Sequence, residues 1–179
     1  MDHQVLVEPG AQIHPTAWLG PGVHVGSGTR IGPHCRLGPK ARVGAGSVLG
    51  PRVQLGHGVI LGARCTVDAG AVIGVASTRP QAVQVGDGCH VGEYTVVEAA
   101  EAGLPATVIG PGAYVMARCL VRAGSRLGQG TIVTNHSVVG AGACLEEFSV
   151  LGGFCVVADG VTVGRRSMVG GLSWVAEDV

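Results

Sequence analysis

The sequence contains only six aromatic residues among its 179, and its formal net charge at neutral pH is zero. A core with so few large rings must be narrow or built in thin, similar layers. The twelve basic and twelve acidic residues do not cluster, so the chain lacks the charged surface expected of a protein that binds nucleic acid or an anionic membrane. No Cys-x-x-Cys pair, basic leader or apolar run of eighteen residues occurs, which predicts a reduced, cytoplasmic protein without membrane insertion.

Glycine, with 32 residues, is abundant and follows a period of six. Every sixth residue from Val7 to Val175 gives 29 positions, of which 27 are Val, Leu or Ile, and glycine follows directly at 17 of them. Because a period of six fits neither an amphipathic helix nor a simple alternating strand, each unit must combine a short strand with a turn. Three units form one triangular coil, and the coils stack as parallel strands. The sequence therefore predicts an all-β, single-stranded parallel β-helix of nine to ten coils, a single domain over residues 1–179.

A second inward position lies four residues after each aliphatic residue and carries small side chains. We expect the residue in this place to be buried, and the glycine after the aliphatic residue to let the chain turn where a side chain would clash or φ must be positive. The expected small inward residues of the first half are Val23, Thr29, Cys35, Ala41, Ser47, Val53, Val59, Cys65 and Ala71.

The six cysteines follow the same phase. Five occupy the small inward position, where a thiol acts as a small hydrophobic group. Cys144 is out of phase and is expected at the surface. The five predicted core thiols are Cys35, Cys65, Cys89, Cys119 and Cys155.

Two stretches interrupt the repeat, GVASTRPQAVQ (74–84) and EAAEAGLPATV (98–108). Each keeps the six-residue phase but loses the core residue of its middle unit. We expect loops that project from the helix and frame a binding site, the alternative being degenerate repeats that still coil.

The hexads from 139 onward (VGAGAC LEEFSV LGGFCV VADGVT VGRRSM VGGLSW VAEDV), with IHPTAWLGPGVHVG (13–26) and VQVGDGCHVGEYTVV (83–97), resemble the UDP-N-acetylglucosamine O-acyltransferase family that begins lipid A synthesis. The resemblance covers almost the whole chain. It implies a left-handed β-helix, a homotrimer with active sites between subunits, and transfer of a 3-hydroxyacyl group from acyl carrier protein to a nucleotide sugar, with no cofactor. The helical carboxy-terminal domain of that family has no counterpart up to Val179.

The resemblance also assigns roles to positions at the active site. The family's catalytic histidine falls on Ala123, the backbone amide for the oxyanion on Ala141, and the glycine that ends the acyl slot on Gly171. Further departures fall on Gly142 and Ala158, where the family carries histidines. Glu98 and Asp159 stand where it carries a histidine and a donor-binding glutamine, and the same cleft would include Arg122 and Arg126.

Loss of a general base costs about 10²- to 10⁴-fold in rate, so the chain is expected to be diverged or weakly active unless another group accepts the proton. The candidates are Asp159, on the same face as Ala123, and His136, on the adjacent face. The other histidines are scattered without the spacing of a zinc site, so no metal is expected.

Three functions stay open. The first is acyl transfer of the lipid A type, from acyl carrier protein or a coenzyme A thioester. The second is a hexapeptide acetyltransferase that uses acetyl coenzyme A and His136, and the third is an inactive structural or ligand-binding trimer. Apolar residues predicted to face outward favour packing of three prisms side by side. They are Val48, Ile60, Val72, Val96, Leu120, Ile132, Val138, Val150 and Val156.

Overall fold

The computed structural model describes residues 4–75, 81–100 and 103–179. Its described part is all-β, with 27 short strands in three parallel sheets of nine strands each. Face 1 consists of β1 Leu6–Val7, β4 His24–Val25, β7 Arg42–Val43, β10 Ile60–Leu61, β13 Val83–Val85, β16 Thr107–Ile109, β19 Arg126–Leu127, β22 Cys144–Leu145 and β25 Thr162–Val163. Face 2 consists of β2 Gln12–Ile13, β5 Arg30–Ile31, β8 Val48–Leu49, β11 Thr66–Val67, β14 His90–Val91, β17 Tyr114–Val115, β20 Ile132–Val133, β23 Val150–Leu151 and β26 Met168–Val169. Face 3 consists of β3 Trp18–Leu19, β6 Arg36–Leu37, β9 Gln54–Leu55, β12 Val72–Ile73, β15 Val96–Val97, β18 Leu120–Val121, β21 Val138–Val139, β24 Val156–Val157 and β27 Trp174–Val175.

The chain visits the three faces in turn, and each visit adds one strand. We call the turns from face 1 to face 2 the first corner, those from face 2 to face 3 the second corner, and those from face 3 to face 1 the third corner. Three successive strands make one coil, and nine coils stack along the helix axis. The architecture matches the left-handed parallel β-helix that the resemblance implies, and its nine coils lie at the lower end of the predicted range.

Each two-residue strand from β4 to β25 places its first side chain outside and its second in the core. In β6, Arg36 is exposed and Leu37 is fully buried. Parallel pairing aligns Leu37 with Leu19 on one side and Leu55 on the other, so identical positions stack from coil to coil. The six-residue hydrophobic period therefore becomes a continuous aliphatic core, as predicted.

The second inward position is also buried, as predicted. All nine small residues expected there from Val23 to Ala71 are at most 1% exposed. Their polar atoms bond within the coil: Ser47 Oγ donates to the carbonyl oxygen of Gly62 at 2.9 Å. A narrow core can hold hydroxyls and thiols because the corner carbonyl oxygens are close enough to accept hydrogen bonds from them.

The cysteine predictions are confirmed as well. The five in-phase cysteines are buried, whereas Cys144 points outward and is only half-buried. Burial raises the pKa of the Cys35 and Cys119 thiols, because a thiolate is poorly solvated in the core. These thiols act as core side chains.

The glycine after each aliphatic residue is required by the next coil. A Cβ added at Gly92 would lie 2.6 Å from the backbone nitrogen of Ala117, one coil later. Positive φ occurs two residues further on, at positions such as Gly112 and His136. The predicted clash is therefore the reason for the glycine repeat at Gly92, and left-handed backbone is a separate requirement of the turn.

Two third-corner connections are longer than the rest. Leu61 pairs with Val85, and Val85 with Ile109, so each step between face 1 strands takes 24 residues there instead of 18. The carbonyl oxygen of Ala82 accepts hydrogen bonds from the amides of Ala100 and Thr107, which ties the two connections together. Parts of both predicted loops, 76–80 and 101–102, lie outside the described residues.

Within the described ranges there is no helix of the length and hydropathy needed to cross a membrane.

Candidate active site at the third corner

Residues from four successive coils meet at the third corner. Glu98 follows β15, Arg122 follows β18, Ala141 follows β21 and Asp159 follows β24. Because each corner stacks on the one before it, residues that are 61 positions apart in sequence lie along one edge of the prism. The predicted cleft positions Arg122, Ala141 and Asp159 are thus brought together by the stacking of the coils.

Arg122 forms an ion pair with Asp159 across two coils. Its Nη1 donates to Asp159 Oδ1 at 3.1 Å and to Oδ2 at 3.3 Å. The Asp159 side chain is 60% exposed and that of Arg122 is 43% exposed. An exposed pair of this kind contributes little to stability, so its effect on the site is mainly one of geometry.

Glu98 holds the other side of the same arginine. Its Oε2 lies 3.8 Å from Arg122 Nε and accepts a hydrogen bond from the amide of Ala123 at 3.2 Å. Thr107 fixes the connection beneath it, since its Oγ1 donates to the Glu98 carbonyl oxygen at 2.8 Å and accepts from the Gly124 amide at 2.9 Å. The corner therefore carries one guanidinium between two carboxylates.

The backbone amide assigned to the oxyanion already has a partner. Ala141 N donates to Asp159 Oδ1 at 2.8 Å. An incoming oxyanion can use this amide only if the Asp159 side chain moves aside. Ala123, at the place of the family's catalytic histidine, supplies only a methyl group and no proton acceptor.

Asp159, a candidate base, is engaged at both oxygens. Oδ1 accepts from Ala141 and Arg122, and Oδ2 accepts from Arg122. To take a proton from an acceptor hydroxyl, the carboxylate has to give up at least one of these bonds.

The remaining predicted positions occupy several parts of the prism. Gly142 lies at the third corner with φ +65°, and Ala158 is half-buried there against the core. Arg126 begins β19 on face 1 and lines a shallow groove of about 400 Å³ that also includes Cys144. Gly171 lies at the second corner of the last coil, so face 3 separates it from Asp159.

His136 also lies at the second corner, in the seventh of the nine coils. It is exposed, has φ +61° and stacks on Phe154. The structure therefore does not bring the two candidate bases together in one chain, since His136 and Asp159 stand at opposite edges of face 3.

Sequence reasoning missed two histidine–carboxylate pairs and the role of Glu98 as a partner of Arg122. His90 Nε2 lies 2.6 Å from Asp68 Oδ2, and His24 Nε2 lies 2.7 Å from Glu8 Oε1. The partners are 22 and 16 residues apart, in each case two residues less than the step between paired strands there, because Val67 pairs with Val91 and Val7 with Val25. A comparison of residues two positions short of one coil would have found them. Among the described residues no three His, Cys, Asp or Glu side chains form a group that could hold a metal ion.

The protein-family model described as bacterial transferase hexapeptide (six repeats) matches residues 10–45 and 40–74 of this chain. Together the two segments cover 65 of the 179 residues and contain hexapeptide repeats of the kind that the model describes. Solved structures extend the likeness along almost the whole prism. Arabidopsis UDP-N-acetylglucosamine acyltransferase is 24% identical with a TM-score of 0.64, over 97% of this chain and 68% of that one.

Two bacterial structures show the same relationship. The UDP-N-acetylglucosamine acyltransferase from Campylobacter jejuni is 22% identical with a TM-score of 0.57, over 97% of this chain and 68% of its own. The Moraxella catarrhalis O-acyltransferase is 20% identical with a TM-score of 0.54, over 96% and 67% of the two chains. No curated protein sequence matches this hexapeptide-repeat protein. At these identities the comparisons show an acyltransferase-like fold, as the sequence resemblance predicted.

Proposed function

We propose that this hexapeptide-repeat protein is a homotrimeric acyltransferase that transfers a 3-hydroxyacyl group from acyl carrier protein to UDP-N-acetylglucosamine, at a low rate. The observation that carries the proposal is the shared fold: 97% of the chain superposes on UDP-N-acetylglucosamine acyltransferase at a TM-score of 0.64. A cytoplasmic location belongs to the same proposal, and six free cysteines suit a reducing compartment.

An apolar ladder that runs along face 3 supports binding of an acyl chain. The outward residues of face 3 pair in register from β12 to β27, so their side chains form one ladder. The last two members of the ladder, Val156 and Trp174, lie between Asp159 at the third corner, where the family's donor-binding glutamine falls, and Gly171 at the second, where the glycine that ends the acyl slot falls. The members of the ladder are Val72, Val96, Leu120, Val138, Val156 and Trp174.

The same ladder supports a trimer. Val156 is 41% exposed and Trp174 is 76% exposed in the single chain, and Tyr114 and Met168 on face 2 are 40% and 79% exposed. Contiguous exposed apolar surface is costly to leave in water and usually marks an interface. We expect a homotrimer by light scattering at micromolar concentration, and a monomer there would contradict the assembly.

A low rate follows from the third corner. With alanine at position 123 no histidine is available there, and the two nearby carboxylates, Glu98 and Asp159, are bonded to Arg122 and to backbone amides. Loss of a general base alone lowers a rate by about 10²- to 10⁴-fold. The shared fold would support the residual reaction.

The direct test measures 3-hydroxyacyl transfer to UDP-N-acetylglucosamine by mass spectrometry at high enzyme concentration. We expect slow product formation that needs both substrates. Val138→Asp on the face 3 ladder should reduce it, whereas Val108→Asp, at the matching outward place of face 1, should not. Light scattering on both variants separates loss of the slot from loss of the trimer. Absence of product at every enzyme concentration would contradict the proposal.

An inactive ligand-binding or structural trimer is the second candidate. The observation in its favour is that the Ala141 amide is bonded to Asp159 while Ala123 offers no base. A ligand-binding trimer predicts measurable binding of UDP-N-acetylglucosamine or acyl carrier protein without turnover. A purely structural trimer predicts that neither binds.

An acetyltransferase that uses acetyl coenzyme A and His136 is the third candidate. The supporting observation is the exposed imidazole of His136, held by its stack on Phe154. Acetyl coenzyme A in place of the acyl carrier protein, in the same assay, tests it.

A further inference from the structure

Asp159 accepts two different donors at one oxygen. The Ala141 amide lies 2.8 Å from Oδ1, and Arg122 Nη1 lies 3.1 Å from the same atom. A backbone N–H and a guanidinium that converge on one oxygen are the partners that a phosphate or carboxylate ligand requires. In this chain the oxygen belongs to the protein itself.

A hydrogen bond from a backbone amide to a side-chain oxygen of the next coil also occurs at other corners of this fold. Asp87 Oδ1 accepts from Ala63 N at 2.9 Å, and Asn135 Oδ1 accepts from Ala117 N at 3.1 Å, at the same place of their turns. Neither of these corners has an arginine bonded to the capping side chain in the hydrogen bonds of the described residues. The feature that distinguishes Asp159 is therefore Arg122.

Contacts other than those with Asp159 also hold the two donors. Arg122 contacts Glu98 on its other side, and Glu98 is anchored through the Ala123 amide. Ala141 N belongs to the backbone of a turn whose Gly142 N donates to the Ala123 carbonyl oxygen at 3.0 Å. The Asp159 side chain, at 60% exposure, is more accessible than Arg122 or Glu98 and rotates out at little cost.

The corner also has room for a ligand. A Cβ added at Gly142 or at Gly160 would meet no atom within 4 Å. With Asp159 in place, two carboxylates face one guanidinium, so an added anion is repelled. Once Asp159 has turned away, one carboxylate faces one guanidinium and the Ala141 amide is free.

We propose that Asp159 is an internal occupant of an anion site formed by Arg122 and the Ala141 amide, and that a phosphate- or carboxylate-bearing ligand binds there by displacing it. The contact is autoinhibitory, because every such ligand competes with a tethered carboxylate. The inference deepens the proposed function and rests on it for the identity of the ligand, whose anionic group comes from the nucleotide diphosphate or from the phosphopantetheine of the acyl donor.

Calorimetry with inorganic pyrophosphate tests the site independently of turnover. Asp159→Ala should bind pyrophosphate about tenfold or more tightly than the wild type, since two donors are released. Asp87→Ala removes the same charge and the same kind of amide cap, and should bind as the wild type does. The double variant Asp159→Ala with Arg122→Gln should lose the gain.

Equal affinity of Asp159→Ala and the wild type would overturn the proposal, as would an equal gain in Asp87→Ala. UDP and phosphopantetheine, titrated into Asp159→Ala, distinguish the two sources of the anion. Calorimetry measures binding directly, so the two hypotheses can fail separately. If Asp159→Ala gains pyrophosphate affinity but no variant transfers an acyl group, the anion site is supported and only the proposed reaction is contradicted.

Discussion

The imidazole of His136 stacks on the ring of Phe154 from the next coil, with ring centroids 4.7 Å apart and planes inclined by 4°. Both residues have positive φ, 61° and 58°, a conformation that few residues other than glycine and asparagine adopt readily. The stack therefore fixes the imidazole at the second corner, at the opposite edge of face 3 from Asp159.

Replacement of His136 by asparagine tests whether it is the base. Asparagine tolerates positive φ and cannot act as a base near neutral pH. We expect His136→Asn to leave the 3-hydroxyacyl transfer rate within about twofold, because the reaction is assigned to the third corner. His34→Asn, at the same place of another second-corner turn with φ 58°, is the matched control. A loss of about 10²-fold or more, specific to His136, would make it the base.

The glycine repeat gives a stability prediction. Gly92→Ala should lower the free energy of unfolding by about 3 kcal/mol, since its methyl group would press on the backbone of Ala117 and Met116 at 2.6 Å. Gly170→Ala, where a Cβ meets no atom within 4 Å, should stay within about 0.5 kcal/mol. Urea denaturation of both variants checks this, and equal losses would contradict the packing argument.

Cys144 should be the first thiol to react with a maleimide. The other five cysteines are buried and become reactive only on unfolding. Burial, and next the nearby Glu146 carboxylate, raise the pKa of Cys144, so its labelling rate should keep increasing above pH 9.0, the ordinary value. Mass spectrometry of the native protein gives the number of labels, and Cys144→Ser should remove the first one. Labelling of a second cysteine at the same rate would show that the core is more open than described.

Much of the fold followed from the sequence because each coil repeats the same local physics. The inward aliphatic residues, the five core cysteines and the outward Cys144 all follow from the six-residue phase. The exact coil number did not, since the connections after β12 and β15 each use six additional residues without adding a strand.

The third corner was only partly predictable. The resemblance placed Arg122, Ala141 and Asp159 in one cleft, but the bonds of Asp159 to both of the others depend on side-chain rotamers. The contact between Glu98 and Arg122 depends on how the second long connection returns to face 1. Neither of these features is encoded in the repeat.

Acid should weaken the first coil through Glu8. Its pKa lies below the ordinary 4.5, mainly because its carboxylate is hydrogen-bonded to the His24 imidazole and, to a smaller extent, because it accepts a hydrogen bond from the Ser27 amide. A carboxyl group with a lowered pKa in the folded state contributes stability above its unfolded pKa and loses it as the pH falls through the folded pKa. Glu8→Gln should therefore lower the thermal midpoint at pH 7, and the difference from the wild type should disappear once the pH falls below the folded pKa of Glu8. Glu93→Gln, at an exposed glutamate of the second corner, is the control, and a pH-independent difference would contradict the assignment.

The central claim is that an acyltransferase site persists at the third corner and lacks its base. The measurement that tests it most directly compares 3-hydroxyacyl transfer from acyl carrier protein to UDP-N-acetylglucosamine by the wild type and by Ala123→His. Ala117→His, at the equivalent place of a second-corner turn, is the control. The account predicts a slow wild type, an increase of about tenfold or more in Ala123→His, and no increase in Ala117→His. If the wild type and Ala123→His are both silent, the acyltransferase account is contradicted and the protein is a binding or structural trimer.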